Sequence, residues 1–169
     1  MKQVTGQVEI RLALSPSEVA DAARLFREYA ESLPFSLDYQ GFEQELAALP
    51  GRYAPPGGRL FIAYDEAGAP AGCIALRDIS AQLAPGTCEM KRLYVRPAYR
   101  RSGLGRRLCV RLIAEAREAG YRVMKLDTSS DMHSAVRLYR SLGFVECERY
   151  NDDPMADTLW FELNLEAVP

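Results

Sequence analysis

Four arginines and two glycines give the first chemical signal in this chain. Arg100, Arg101, Arg106 and Arg107 crowd the start of an amphipathic segment, with Gly103 and Gly105 among them. The apolar stripe Leu104, Leu108, Leu112 and Ala116, widened by Cys109 and Ile113, has helical spacing. No Asp or Glu enters that helix before Glu115. A helix N-terminus carries roughly half a positive charge and favours anions by about 0.3–1 kcal/mol each. Cations gathered there are unfavourable unless something negative binds. The glycines remove side chains where backbone N–H groups point outward. Amides, dipole and arginines together form an anion cradle. Planar guanidinium groups suit phosphate oxygens, so phosphate is the expected anion.

Two residues could move protons. Glu89 lies in a strand otherwise rich in apolar residues, Met90, Leu93, Tyr94 and Val95, which Pro97 cannot continue. It is either a base, with burial raising its pKa to a useful range, or a structural carboxylate paired with Lys91 or Arg92. Tyr139 has the helical spacing of a core residue with Ala135 and Leu142, yet its phenol could also protonate a leaving group. His133, the one histidine, stands at a helix start and is expected to face solvent. Arg77 could meet a substrate carboxylate, and a sheet-edge salt bridge is the plainer expectation. Asp152, Asp153 and Asp157 make the segment from Tyr150 to Asp157 acidic, either simply solvated or attractive to a cationic amine.

Arg100-x-x-Gly103-x-Gly105 on a strand–turn–helix, preceded by LYVRP and followed by LYRSLGF, resembles the acyl-CoA signature of the GNAT superfamily of N-acetyltransferases. The resemblance implies acetyl-CoA as co-substrate and direct transfer of its acetyl group to a primary amine of a small molecule or peptide. It implies that amides from Arg101 through Ser102, Gly103, Leu104 and Gly105 to Arg106 bind the pyrophosphate. The backbone of Leu93, Tyr94 and Val95 would pair with the pantetheine arm, and an amide there would hold the developing oxyanion. Glu89 matches the base of members that use a glutamate, and Tyr139 matches the motif tyrosine, the general acid. Phe35, Tyr39 and Tyr150 lie where members form the acceptor wall. Where many members carry an asparagine, three residues before the motif alanine, this chain has Met132. Arm recognition then falls to backbone contacts or to Ser130 or Ser134. A homodimer is compatible with the family. Two other classes stay open: a non-catalytic acyl-CoA-binding or sensor module, and a nucleotide-binding domain, which the lack of GxxxxGK[ST] disfavours.

These residues need elements to position them. Val8–Leu12 alternates as a first strand, after a frayed start over 1–7. Ser15, Pro16 and Glu18 open a helix with a capping box, which ends near Leu33. A shorter helix covers Phe42–Leu49. Strands follow at Arg59–Tyr64 and Ala71–Asp78, then the opening strand and helix. Val123–Thr128 is a strand. Ser129 to Asp131 can cap a helix over Met132–Leu142, closed by Gly143 in the left-handed position. Strands at Phe144–Glu148 and Leu159–Leu165 finish the chain. The order β-α-α-β-β-β-α-β-α-β-β predicts an α/β fold, a mixed, mostly antiparallel sheet with helices on both faces. It is also the order of the GNAT fold.

At 169 residues, 48% of them hydrophobic and 26% charged, the chain is expected to form one domain with a substantial core. A net charge of −2 disfavours general nucleic-acid binding. Four cysteines with no CxxC pair, and one histidine, make a zinc site or any other metal improbable. Cysteines among apolar neighbours suggest a reduced cytoplasm. The N-terminus shows no apolar signal segment, and no apolar run reaches the ~18 residues of a membrane span.

Overall fold

The structure, a computed structural model, describes residues 7–166. Most of the frayed start expected over 1–7 lies outside them. The elements are β1 (Glu9–Leu12), α1 (Pro16–Ser32), α2 (Phe42–Ala48), β2 (Arg59–Tyr64), β3 (Pro70–Asp78), β4 (Thr87–Val95), α3 (Leu104–Glu118), β5 (Val123–Ser129), α4 (His133–Ser141), β6 (Val145–Glu146) and β7 (Thr158–Asn164). This is the predicted order. The sheet runs β1-β2-β3-β4-β5-β7-β6. Only β4 and β5 pair in parallel; the other neighbours are antiparallel. The fold is therefore α/β, an open mixed sheet, as expected.

Alternation along the strands divides the core in two. Leu60, Ile62, Cys73 and Ala75 face α1 and α2, where Leu25 and Phe26 are fully buried. Phe61, Ile74, Leu76 and Met90 face the other way, onto Leu104, Leu108 and Leu112 of α3 and Val136 of α4. Each Leu, Ile, Phe or Met among them contributes roughly 1.5–3 kcal/mol by leaving water, an upper bound set by the extended-chain reference. The helix ends follow local chemistry. Ser15 accepts from the Glu18 amide at 3.3 Å while Glu18 reaches back to the Ser15 amide at 3.0 Å, completing the capping box. Gly143 sits at φ 95, the left-handed conformation that a Cβ disfavours.

Two expectations need correction. The Ser129 hydroxyl bonds Asp157, and α4 starts at His133 with Met132 in the cap position and no side-chain cap. The strand over Phe144–Glu148 shrinks to Val145–Glu146. Phe144 turns into the core against the Tyr139 ring, and the chain beyond Cys147 leaves β7 to cover the sheet.

Candidate active site

The site begins where the sheet splits. β4 and β5 pair only over Thr87–Glu89 and Val123–Lys125. Beyond that β4 stays with β3, β5 stays with β7, and a wedge opens between them. A bulge in β4 helps to open it. Ala75 pairs with Lys91 but Cys73 with Tyr94, so β4 holds one extra residue there. Arg92 takes φ 60 at this point, a strained conformation for a side chain with a Cβ. The bulge swings Arg92 to the α2 side, where it forms an ion pair with Glu45 at 2.8 Å. It also resets the alternation, so Leu93 and Val95 join the α3 face.

The backbone of β4 is then partly free. Arg96 donates its amide to Ala71 at 2.9 Å, and Tyr94 pairs with Cys73. Two-residue alternation points the amides of Leu93 and Val95 the opposite way, into the wedge. Tyr94 differs from the expectation: its backbone belongs to the ladder with β3, and its ring packs near Tyr29.

The arginine-rich turn follows β4 directly. None of the amides from Arg101 to Arg106 has an acceptor among the described residues; the first helical bond is Arg107 to the Gly103 carbonyl at 3.1 Å. Arg101 and Gly103 both adopt positive φ, 64 and 80, which curls successive amides toward one concave side. A Cβ on Gly103 would meet nothing within 4 Å, so backbone conformation is what requires glycine there. α3 has no acid in its first turn. The basic side chains divide. Arg100 bonds the Val95 carbonyl at 3.1 Å, Arg106 reaches Ser141 at 3.0 Å, and Arg107 holds the Val8 carbonyl at 2.6 Å. Ser102 donates to the Tyr99 carbonyl, leaving its amide outward. The run of unpaired amides fits a diphosphate, and the free β4 edge beside it fits an extended amide-bearing arm. These residues thus suit acetyl-CoA.

Tyr139 rises into the wedge from α4. Its ring packs against Phe144 at 5.9 Å and Phe161 at 6.4 Å and is 7% exposed. Its hydroxyl has no protein partner, and no sealed side-chain polar atom lacks a partner among the described residues. The hydroxyl therefore opens into the cavity of about 60 Å³ that Tyr139 lines with Leu93, Met132 and Asp127. Met132 places its sulfur 3.6 Å from the Thr128 hydroxyl, in the position where an asparagine was wanted. Ser134 and His133 are exposed, the latter as expected.

Glu89 departs from the expectation for a base. It is 2% exposed and bonded on both oxygens, by Arg77 at 2.7 Å and the Tyr150 hydroxyl at 2.9 Å. Burial pushes its pKa up, but Lys91 and Arg77, with the hydrogen bonds from Arg77 and Tyr150, hold it below the ordinary carboxylate range. Its partner is neither Lys91 nor Arg92, and Arg77 sits on an inner strand rather than at a sheet edge. Because Glu89 has a lowered folded pKa, the pair stabilises fully above the ordinary carboxylate pKa and fades as pH falls through the folded value. Arg77→Met should therefore cost about 3 kcal/mol at neutral pH. The deficit should shrink as the pH falls below the ordinary carboxylate range of about 4, toward the lowered folded pKa of Glu89. Urea midpoints at neutral and at low pH check this, and an equal deficit at both would point to lost packing instead.

Three residues that sequence reasoning missed converge on the wedge: Lys91, Asp127 and Asn151. Asn151 accepts from the Trp160 indole at 2.9 Å, which turns its amide group onto Asp127 Oδ2. Asp127 Oδ1 accepts no hydrogen bond among the described residues, and Asp127 lines the 60 Å³ cavity and two neighbours of about 190 and 30 Å³. Burial raises its pKa, with Glu89 and Asp153 adding to the rise against Lys91 and Asn151. Lys91 donates to Gln40 at 3.1 Å. Period two was the available signal, since Glu89 and Lys91, like Lys125 and Asp127, are charged at i, i+2 in apolar strands. Of the expected acceptor wall, Phe35 and Tyr39 border the smallest cavity, and Tyr39 bonds Asp153 at 3.1 Å. Tyr150 instead bonds Glu89. No group of three potential metal ligands gathers among the described residues, and none of their helices is long and apolar enough to cross a membrane.

Comparison with known proteins agrees with this geometry. The family model "Acetyltransferase (GNAT) family" matches residues 22–144. A Schizosaccharomyces pombe protein described as an uncharacterized N-acetyltransferase is 36% identical over 158 residues, covering 94% of this chain and 95% of its own. A GNAT-family acetyltransferase structure from Staphylococcus aureus superposes with TM-score 0.77 at 20% identity, covering 95% and 100% of the two chains. A Salmonella typhimurium structure solved with its cofactor acetyl-CoA superposes with TM-score 0.65 at 25% identity, covering 94% of each.

Proposed function

We propose, from the premise that this chain belongs to the acetyltransferase (GNAT) family and is an N-acetyltransferase, that it carries the acetyl group of acetyl-CoA to a primary amine of a small molecule or peptide in the cytoplasm. The observation that carries the cofactor half is the run of unpaired amides from Arg101 to Arg106 beside the free edge of β4. Bound acetyl-CoA supplies a thioester whose C–S bond breaks as the new C–N bond forms. The amides from Arg101 to Arg106, with the α3 dipole and the exposed Arg101, hold its phosphates. The amides of Leu93 and Val95 hold its arm, and one of them faces the carbonyl oxygen as negative charge develops there.

The proton steps follow from the wedge. An acceptor arrives largely as an ammonium ion and must lose a proton before its lone pair can attack. Glu89, held anionic by Arg77 and Tyr150, has no free oxygen for it. Asp127 Oδ1 is free, faces the cavity and belongs to the carboxyl with the raised pKa. In our reading the base role passes from Glu89 to Asp127, and Glu89 sets the local field. The Tyr139 hydroxyl protonates the departing sulfur.

Thermal unfolding tests the cofactor half. At 100 times its Kd, acetyl-CoA stabilises the folded state by about 2.7 kcal/mol. For a chain of this size that is roughly 5–10 °C in Tm. The shift should grow with ligand concentration, and a flat Tm at millimolar acetyl-CoA would remove the cradle.

A further inference from the structure

The recess next to the wedge, about 190 Å³, is unusually charged. Most of its charges are already matched within the protein. Arg92 pairs with Glu45 at 2.8 Å and Arg77 with Glu89 at 2.7 Å. Asp153 accepts from Tyr39, Met155 and Thr158. Asp152 stands exposed at the rim. Two groups are left, Lys91 and Asp127, and neither has an ion pair within 4 Å among the described residues.

Their placement is set by the sheet. Glu89 lies beside Lys125 in the last bonded pair of β4 and β5. Two residues further on, Lys91 and Asp127 stand on the same face, on strands that have begun to diverge. They are too far apart to pair directly, yet each lies in the other's field. A gap of that kind is closed by a molecule that presents a negative and a positive group side by side. Resting on the acetyl-transfer reading above, we infer that the acceptor is a free α-amino acid, its carboxylate on the Lys91 ammonium and its amine on Asp127 Oδ1.

The size of the recess agrees. It lies below the ~300–1,000 Å³ of drug-sized sites, so it suits an occupant of few heavy atoms. One wall of it is held in place: Asn151 bonds both Asp127 and Trp160. A peptide N-terminus carries a neutral amide where the amino acid has its carboxylate, and would leave Lys91 without a counter-ion. Burial lowers the Lys91 pKa in the free protein, and a bound carboxylate would raise it again by favouring the charged form.

The test compares kcat/KM for a panel of L-amino acids with that for the matching amino-acid amides, in wild type, Lys91→Met and Lys91→Arg. One charge-assisted contact predicts a preference for the free acid of about 10- to 100-fold. In Lys91→Met that ratio should collapse to within about threefold of one, and Lys91→Arg should restore most of it. Equal turnover of acids and amides by the wild type overturns the inference, as does a ratio unmoved in Lys91→Met. If Lys91→Met does not fold, the wild-type ratio decides alone. Turnover of amides and plain amines without acid preference removes only the amino acid. No turnover of any amine, with no acetyl-CoA shift in Tm, removes the acetyl-transfer reading as well.

Discussion

Tyr139→Phe lowers kcat by about 10²–10³-fold while the Kd for acetyl-CoA moves by less than about threefold. The substitution is clean because the ring stays. Phenylalanine keeps the contacts with Phe144 and Phe161 that hold the side chain in the core. The hydroxyl it removes has no protein partner, so the fold loses nothing through it. Burial pushes the phenol well above its usual pKa, so it remains a proton donor across the neutral range. A donor that weak would be poorly matched to a thiol in water, with a pKa of about 8.5. The same burial acts on sulfur, and Cys109, nearby in the same core, is pushed up to about 12. Desolvation in the wedge likewise makes a departing thiolate a stronger base than in water, which favours proton transfer from the phenol. Single-turnover rates and acetyl-CoA titration of the variant check the split. An unchanged kcat would make Tyr139 a core residue only.

The backbone framework was open to sequence reasoning because its signals are local. The capping box at Ser15 and Glu18, the stripe from Leu104 to Ala116 and the left-handed Gly143 each depend on residues a few positions apart. The run of unpaired amides at the start of α3 has a local signal too: its arginines and glycines lie within a few positions of one another. The proton chemistry was not open in this way. Glu89 was placed in the right strand, but its state depends on Arg77 from β3 and on Tyr150, 61 residues away. Burial alone predicts a raised pKa, and Lys91 together with the distant Arg77 and Tyr150 reverses the sign. The bulge was equally hidden, because it turns on Arg92 at φ 60, a conformation usually advertised by glycine. Without it, strict alternation would put Leu93 and Val95 on the wrong face. Asp127 could have been found by its period-two partnership with Lys125, but only the split between β4 and β5 makes that position chemical.

Asp127→Asn should lower kcat by a further independent route, about 10²–10³-fold at neutral pH. The amide keeps the size of the side chain and can still meet Asn151, but it cannot take a proton. The pH profile separates the roles. The Asp127 carboxyl has a raised pKa, so it is protonated and inactive on the acid side, and kcat should rise as pH climbs through a value above the ordinary aspartate range. That limb should vanish in Asp127→Asn, leaving a low and flat acid side. Glu89→Gln should keep the limb, since Glu89 is already anionic below it. It should also move the limb to lower pH, because one negative charge that raises the Asp127 pKa is gone. The opposite pattern, with the limb lost in Glu89→Gln and kept in Asp127→Asn, would return the base role to Glu89. The direction of the shift matters as much as the rate. A merely structural Glu89 variant would lower stability and leave the midpoint in place, whereas a carboxylate acting on Asp127 through space must move it.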